Sequence, residues 1–512
     1  MTLYVPNPQK LVDFFDRVSS DKTSLNQYGG GRRLSVIPVD YSKAIDDKTY
    51  PIKAVLPAEQ TTAQAKSELE RQDINPASVV DMLQSSSSSQ RRGTKRKRSS
   101  SRGHSSAKRR RLTGKTSSDG PFEFRISGQN SMDYLDLKNS RIFVKVKVTK
   151  ADGSAIGEKA DNKVAPTNMF LQALFSTVEV TLQNKATITC NYNPYRAYIP
   201  TILKYGRDAA DSQLTTQCFI MDDADSPGVV DPNGTNNGLF LRNKLIAGSA
   251  SLDMQGCIFH DLFDMSRFLL NEVDLKIKLY RSPIEFCLCA ADAVPYQLVI
   301  EDIYILARKI RVNPAVIFGH SKILEKQNAL YPYNKVEVKS VSIAAGSTTY
   351  SWDNMYQGRR PNKLIVGFVK SKAVSGNIGT NPFNFENCSI QQITVYCDGL
   401  PVGSNPLKLD FSASGTSTIR AYTNLLLSSG KWRQDEGNQL DRSHFIGGST
   451  LFVFELEPDF SHHGEYLSLM KSGDVRLDVV FKNPLSEPMS CIVYSEGPGY
   501  FEVNKERDII LS

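Results

Sequence analysis

The sequence is poor in the groups that run chemistry. Eight cysteines in 512 residues (Cys190, Cys218, Cys257, Cys287, Cys289, Cys388, Cys397, Cys491) are unevenly spaced, and no C-x-x-C occurs. Small secreted domains carry cysteine far more densely, so the reading is a reducing compartment with buried, unpaired thiols. Only six histidines are present. His104 lies in a basic tail, His260, His320 and His444 are isolated, and His462 and His463 are adjacent, which on a strand face opposite ways and make a poor chelate. The H-x-H of a metal-binding jelly roll is missing. Cys287-x-Cys289 faces one side of a strand, but no second Cys or His pair completes four ligands, so core thiols are expected. No G-x-S-x-G elbow occurs. Gly114-Lys115-Thr116 imitates the end of a phosphate loop, yet the first glycine it needs is Arg109 and no apolar strand leads in. Asp222 and Asp223 fall in a Pro-, Gly- and Asn-rich loop over 222–238, where solvation explains them. These absences predict a chain that is not an enzyme and needs no metal or cofactor. No run of about 18 apolar residues offers a membrane span. The N-terminus lacks the basic-then-apolar pattern of a signal peptide, so the sequons at Asn233 and Asn387 are expected to stay unmodified. Cytosol or nucleus is the expected compartment.

Acidic residues are absent from one stretch. Residues 85–118 hold twelve Lys or Arg and no Asp or Glu, so the net charge of +8 becomes −4 without them. The folded part is mildly acidic, and the basicity is a detachable tether with no ordering core, predicted disordered over 85–120. Within it, Arg91, Arg92, Lys95, Arg96, Lys97 and Arg98 form one cluster and Lys108, Arg109, Arg110 and Arg111 a second. That spacing suits a bipartite nuclear import signal read by a carrier. The same charges suit sequence-independent contact with nucleic-acid phosphates, without the interleaved aromatics that stack single-strand bases. Residues 1–84 are polar, with helix-start signals at Asn7-Pro8 and Asn75-Pro76. Neither helix is long enough to stand alone, which leaves a partner-docking segment or a loosely structured arm.

From Pro121 onward, period-2 alternation takes over. Ile142, Val144, Val146 and Val148 form one strand face, with Arg141, Phe143, Lys145 and Lys147 on the other. Val178-x-Val180-x-Leu182, Val273-x-Leu275-x-Ile277-x-Leu279 and Leu298-x-Ile300-x-x-Ile303-x-Ile305 continue it. A second set follows at Val336-x-Val338, 364–369, Ile393-x-Val395, 451–456 and Val475-x-Leu477-x-Val479. Short helices are expected only around 192–205 and 264–270. Many short strands with Gly and Pro joints predict an all-β chain of sandwiches. The sets also match in order: 140–146 with 361–367, 176–183 with 391–398, and 272–283 with 474–484. Three matches in one order, with slowly drifting offset, suggest a duplicated unit of roughly 200 residues. The expected organisation is an arm at 1–84, the basic linker at 85–120, a first sandwich at 121–328 and a second at 329–512.

The succession Met132-Asp-Tyr-Leu-Asp-Leu, Asn191-Tyr-Asn-Pro-Tyr-Arg, Asp264-Met-Ser-Arg-Phe-Leu-Leu, Val273-Asp-Leu-Lys-Ile-Lys-Leu and the stretch 296–308 resembles the double jelly-roll, hexon-like major capsid proteins of polinton-type viruses (polintoviruses and adintoviruses). The resemblance covers about 121–512, and residues 1–120 do not look like the family core. It implies two tandem antiparallel jelly rolls and a homotrimer that tiles an icosahedral capsid lattice. It also implies a separate penton or minor capsid protein at the vertices, and a place in the virion. With the basic arm added, an import carrier, packaged double-stranded DNA and the host nucleus during assembly become expected partners and location. Loops over 222–238 and 403–448 are expected to form the outer towers. The competing reading is a nuclear β-sandwich binding module, lectin-like or chromatin-associated, that never forms shells.

Overall fold

The computed structural model describes residues 120–511 apart from 129–131, 159–160, 184, 357, 404–405, 413–416 and 458–470. All of these lie within one compact unit, Ser106–Ser512. The expectations placed on 1–119, including both arm helices, the disordered linker and His104, fall outside the described residues, as do His462 and His463.

The first nine strands are β1 (Phe122–Ile126), β2 (Asp133–Lys150), β3 (Val164–Pro166), β4 (Phe175–Leu182), β5 (Ala186–Cys190), β6 (Leu252–Cys257), β7 (Leu275–Arg281), β8 (Leu288–Ala290) and β9 (Tyr296–Arg311). One sheet runs β1-β7-β4-β5, a second β6-β2-β9, and β3 pairs with β8. The alternation in β2 has its expected effect: Val144, Val146 and Val148 are fully buried, and their sheet shares a core with Val178, Val180 and Ile277 of the other. Each such side chain contributes about 1.5–3 kcal/mol on burial. The broken period in β9 is a bulge. Pairing with β2 passes from Lys145↔Asp302 to Val146↔Ile300, so Glu301 is the extra residue and the apolar face resumes beyond it.

The remaining strands are β10 (Ala329–Ile343), β11 (Thr349–Trp352), β12 (Lys363–Lys370), β13 (Ile390–Cys397), β14 (Leu400–Pro401), β15 (Leu407–Lys408), β16 (Leu451–Glu455), β17 (Val475–Phe481), β18 (Met489–Val503) and β19 (Ile509–Leu511). One sheet runs β10-β18-β12-β16, with β19 on β18; the other runs β11-β17-β13-β14, with β15 on β13. Among the described residues, every pairing between these strands is antiparallel. Strand β12 is buried on both faces from Leu364 to Val369, and a Cβ on Gly367 would sit 2.5 Å from the Phe385 ring, so only glycine fits there.

The two halves share one plan. β7-β4-β5 has the neighbours of β17-β13-β14, and β9-β2-β6 has those of β18-β12-β16. The three internal sequence matches fall on equivalent strands: β2 with β12, β4 with β13, β7 with β17. The chain is a double jelly roll.

Several local expectations need correction. Residues 193–204 form helix α1 (Asn193–Lys204), opened by Pro194, but 264–270 is not helical. One 3-10 turn covers Asp261–Phe263, and Leu269 instead exchanges backbone hydrogen bonds with Leu135 at 2.9 Å, which anchors the segment in extended form. Cys287 and Cys289 do not share a strand face, since Cys287 ends a short helix, Ile284–Cys287, and Cys289 lies in β8. Helices α2 (Asn237–Ile246), α3 (Pro314–Leu324) and α4 (Ile419–Ser428) occupy stretches with no expected helix. The stretch 403–448 is therefore no plain loop.

Candidate functional site

The residues singled out from sequence, Arg91, Arg92, Lys95, Arg96, Lys97, Arg98, Lys108, Arg109, Arg110 and Arg111, lie outside the described residues. What the described residues assemble instead is a buried polar seam between the halves, built from charges of which the sequence singled out only Asp222, read there as solvated.

Helix α1 belongs to the first half in sequence and to the second in packing. Tyr195, Tyr198, Ile199 and Ile202 join the core of β12, β13 and β18. Tyr198 stacks on Phe383 at 4.4 Å between centroids, and Tyr195 meets Phe286, Phe383 and Phe385 edge-on. In return, Tyr331, Phe501 and Val503 of the second half enter the first core.

Three charge clusters pin this exchange. Arg196, 6% exposed, pairs with buried Asp261. Its Nη1 donates to the Val336 carbonyl at 2.7 Å, while the Val336 N–H donates to Asp261 Oδ1 at 3.1 Å, so β10 closes the pair. Arg242 is fully buried on α2 and meets Asp222 Oδ1 at 2.6 Å, with Nε donating to the Pro166 carbonyl at 3.0 Å. Asp222 also accepts from Asn236 and, across the seam, from Asn381 Nδ2, each at 3.0 Å. The expected solvation of Asp222 is thus overturned: a buried guanidinium neutralises it. Asp223 instead accepts from the Asn237 N–H at the start of α2. In the third cluster Glu496 accepts from the Tyr494 hydroxyl at 2.8 Å and faces Lys204 at 3.5 Å. Burial pushes the Glu496 carboxyl up, but Lys204, Lys363 and Tyr494 more than offset it, leaving a pKa of about 2. Buried charges of this kind are costly unless every lone pair is met, which fixes one arrangement of the halves.

His260, beside Asp261, accepts from the Leu262 N–H at Nδ1 and contacts the Ile188 carbonyl through Nε2 at 3.0 Å. Burial drives its pKa down to about 4, so it is a neutral structural imidazole. The thiols are not poised as nucleophiles: burial raises Cys190 to about 11 and Cys218, Cys289 and Cys388 to about 12. A cleft of about 430 Å³ opens between Arg207, Ala210, Phe219, Leu241 and His444. Its histidine is held by Asp441 at 2.8 Å. Among the described residues, no cluster of three or more His, Cys, Asp or Glu could hold a metal, and no helix is long and apolar enough to cross a membrane.

No protein-family model matches the chain. A Caenorhabditis elegans protein, F54H12.2, is 25% identical over 414 residues, covering 78% of this chain and 95% of that protein. Among solved structures, the Sputnik virophage structure is similar over 82% of this chain and 91% of the matched chain, at 12% identity and TM-score 0.52. The mavirus major capsid protein covers 77% of this chain and 87% of its own, at 10% identity and TM-score 0.42.

Proposed function

We propose that this chain is a structural capsid protein: the major, hexon-like subunit of an icosahedral DNA virus or virus-like transposon of polinton type. The observation that carries the reading is the pair of jelly rolls locked across a buried seam into one block, in a fold shared with a virophage structure over 82% of the chain. Its proposed units are the rolls at 121–328 and 329–512, the basic linker at 85–120 and the arm at 1–84. Three such blocks around one axis give six similar walls, and closed symmetry of this sort is the normal state of soluble oligomers. The capsomer is then pseudo-hexameric and tiles a lattice, with a penton or minor capsid protein at the vertices. A rigid seam suits that role, because a tile whose halves hinged could not hold a flat lattice.

The cationic clusters Arg91–Arg98 and Lys108–Arg111 serve nuclear import through a carrier, contact with packaged double-stranded DNA by counterion release, or both. The working locations are the virion and the host nucleus during assembly. Sedimentation of the purified chain tests the core of this reading. A trimer of about 170 kDa, three times the 57.0 kDa chain, supports it, and a stable monomer favours a shell-free binding module. Removing 85–118 from a tagged chain tests the arm: nuclear accumulation is lost while the trimer persists.

A further inference from the structure

The cleft of about 430 Å³ straddles the two halves. The first half supplies an apolar wall. Ala210 stands on a short helix, Arg207–Asp211, Phe219 and Met221 lie in the chain that follows, and Leu241 projects from α2 with 38% of its surface exposed. The second half supplies Gln439 and His444. Small-molecule sites occupy roughly 300–1,000 Å³ and are mostly apolar, with a few polar groups that fix orientation. Gln439 is such a group. It lines the cleft and is only 5% exposed, and among the described residues its side-chain Nε2 is buried without a hydrogen-bond partner. An amide donor left unmet in this way costs free energy, and most buried polar groups are met. The acceptors nearby in sequence are engaged elsewhere. Asp441 Oδ1 accepts from the His444 N–H at 2.9 Å, from His444 Nδ1 at 2.8 Å and from the Ser443 hydroxyl at 2.8 Å. The Leu440 carbonyl accepts from the Tyr422 hydroxyl at 2.9 Å.

We propose that this cleft binds a neutral amphipathic small molecule, whose carbonyl oxygen accepts from Gln439 Nε2 and whose hydrocarbon body lies on Phe219, Met221 and Leu241. The complement of an N–H donor is an acceptor, and burial favours a neutral one. A carboxylate drawn in to a single amide donor would lose its water without gaining a cation beside it. The charges lining the cleft do not change that balance. Arg207 is largely exposed, Asp211 opposes it, and Asp441 Oδ2 already lies 3.8 Å from its guanidinium. A cationic ligand is disfavoured for the reverse reason, since an ammonium offers only donors and would leave Gln439 unmet. Because the two halves each supply one side of the cleft, the bound molecule braces the seam. The site holds whether or not the chain builds capsids.

The test is isothermal titration calorimetry of the full chain with N,N-dimethyldecanamide, which carries a carbonyl acceptor, a ten-carbon acyl chain and no N–H. The expected result is saturable binding at one site per chain, with a thermal unfolding midpoint that rises as the amide is added. Gln439→Met keeps the side-chain length and removes the donor. It should weaken binding about ten-fold, while the free variant unfolds no earlier than the parent because an unmet buried donor is gone. A glutamine with a purely structural role would give the opposite pair of results. Leu241→Asp, at a position already partly open to solvent, should weaken binding at least as much. Absence of saturable binding overturns the proposal, as does unchanged affinity in Gln439→Met. If that variant does not fold, Leu241→Asp decides, and unchanged affinity there overturns the proposal too. Decanoate binding more tightly than the amide, with the advantage lost in Arg207→Ala, would overturn the neutral class in favour of an anion.

Discussion

The second roll has a strand on each side of its long strand β18, whereas among the described residues the first has a strand on one side only of its equivalent, β9. Both contain a long strand in the same topological place, β18 and β9, yet β18 is flanked on both sides and buried while β9, among the described residues, is flanked on one side and half-open. The first roll in turn gives α1 to its neighbour's core and receives Tyr331, Phe501 and Val503. Duplicated strand order therefore does not imply two self-sufficient domains, and the seam between them is part of each fold.

That comparison can be broken most forcefully at the seam. Arg242→Met leaves Asp222 buried without its cation and should cost about 3–5 kcal/mol, splitting one denaturant transition into two as the rolls lose registry. The double variant Arg242→Met/Asp222→Leu should recover most of the loss. A single unshifted transition in Arg242→Met would mean that the rolls are coupled elsewhere. Next, Ile492→Ala on β18 should cost about 2–5 kcal/mol. Leu298→Ala on β9 should cost less, about 1 kcal/mol, because that side chain is only half-buried.

Acid should loosen the seam in two stages. His260 is neutral in the folded chain with a pKa of about 4, below its unfolded 6.5, so the unfolded state binds a proton first and stability falls as pH drops from 6.5 through about 4. Glu496, lowered from 4.5 to about 2, contributes stability above 4.5 that is lost as pH falls through about 2. His260→Asn should flatten the slope of stability with pH in the upper window and leave the lower one unchanged, as read by denaturation at stepped pH. The smallest effect is expected at Lys185, which meets Asp508 across the rolls at 2.6 Å with both side chains largely exposed. Lys185→Ala should cost less than about 1 kcal/mol, and a larger loss would move the weight of the seam to its surface.

The strand faces were legible because burial on one side imposes a period of two, as in β2, β4, β7 and β17, and the bulge at Glu301 left its mark as a slipped period. Helix α3 has a start signal visible in sequence: Asn313 accepts from the Ala315 N–H and Pro314 stands at the first turn, the same Asn-Pro pair as at Asn7 and Asn75. The seam was illegible for a different reason. Arg196, Arg242 and Glu496 look in sequence like any solvated charge, and what buries them is chain up to about 300 residues away. The one local hint for Arg242 is its place on a helix between Leu239 and Ile246, both buried. The segment 264–270 misled because its apolar spacing suits a helix, while the Leu135 bridge that decides its shape lies far upstream.

The central claim is that two unequal rolls form one rigid block that meets copies of itself about a three-fold axis. Cryo-electron microscopy of the purified full chain tests it most directly. The account predicts three-fold particles with six sandwich lobes, the two rolls of each chain held in one fixed relation; isolated two-lobed monomers, or lobes at variable angles, would contradict it.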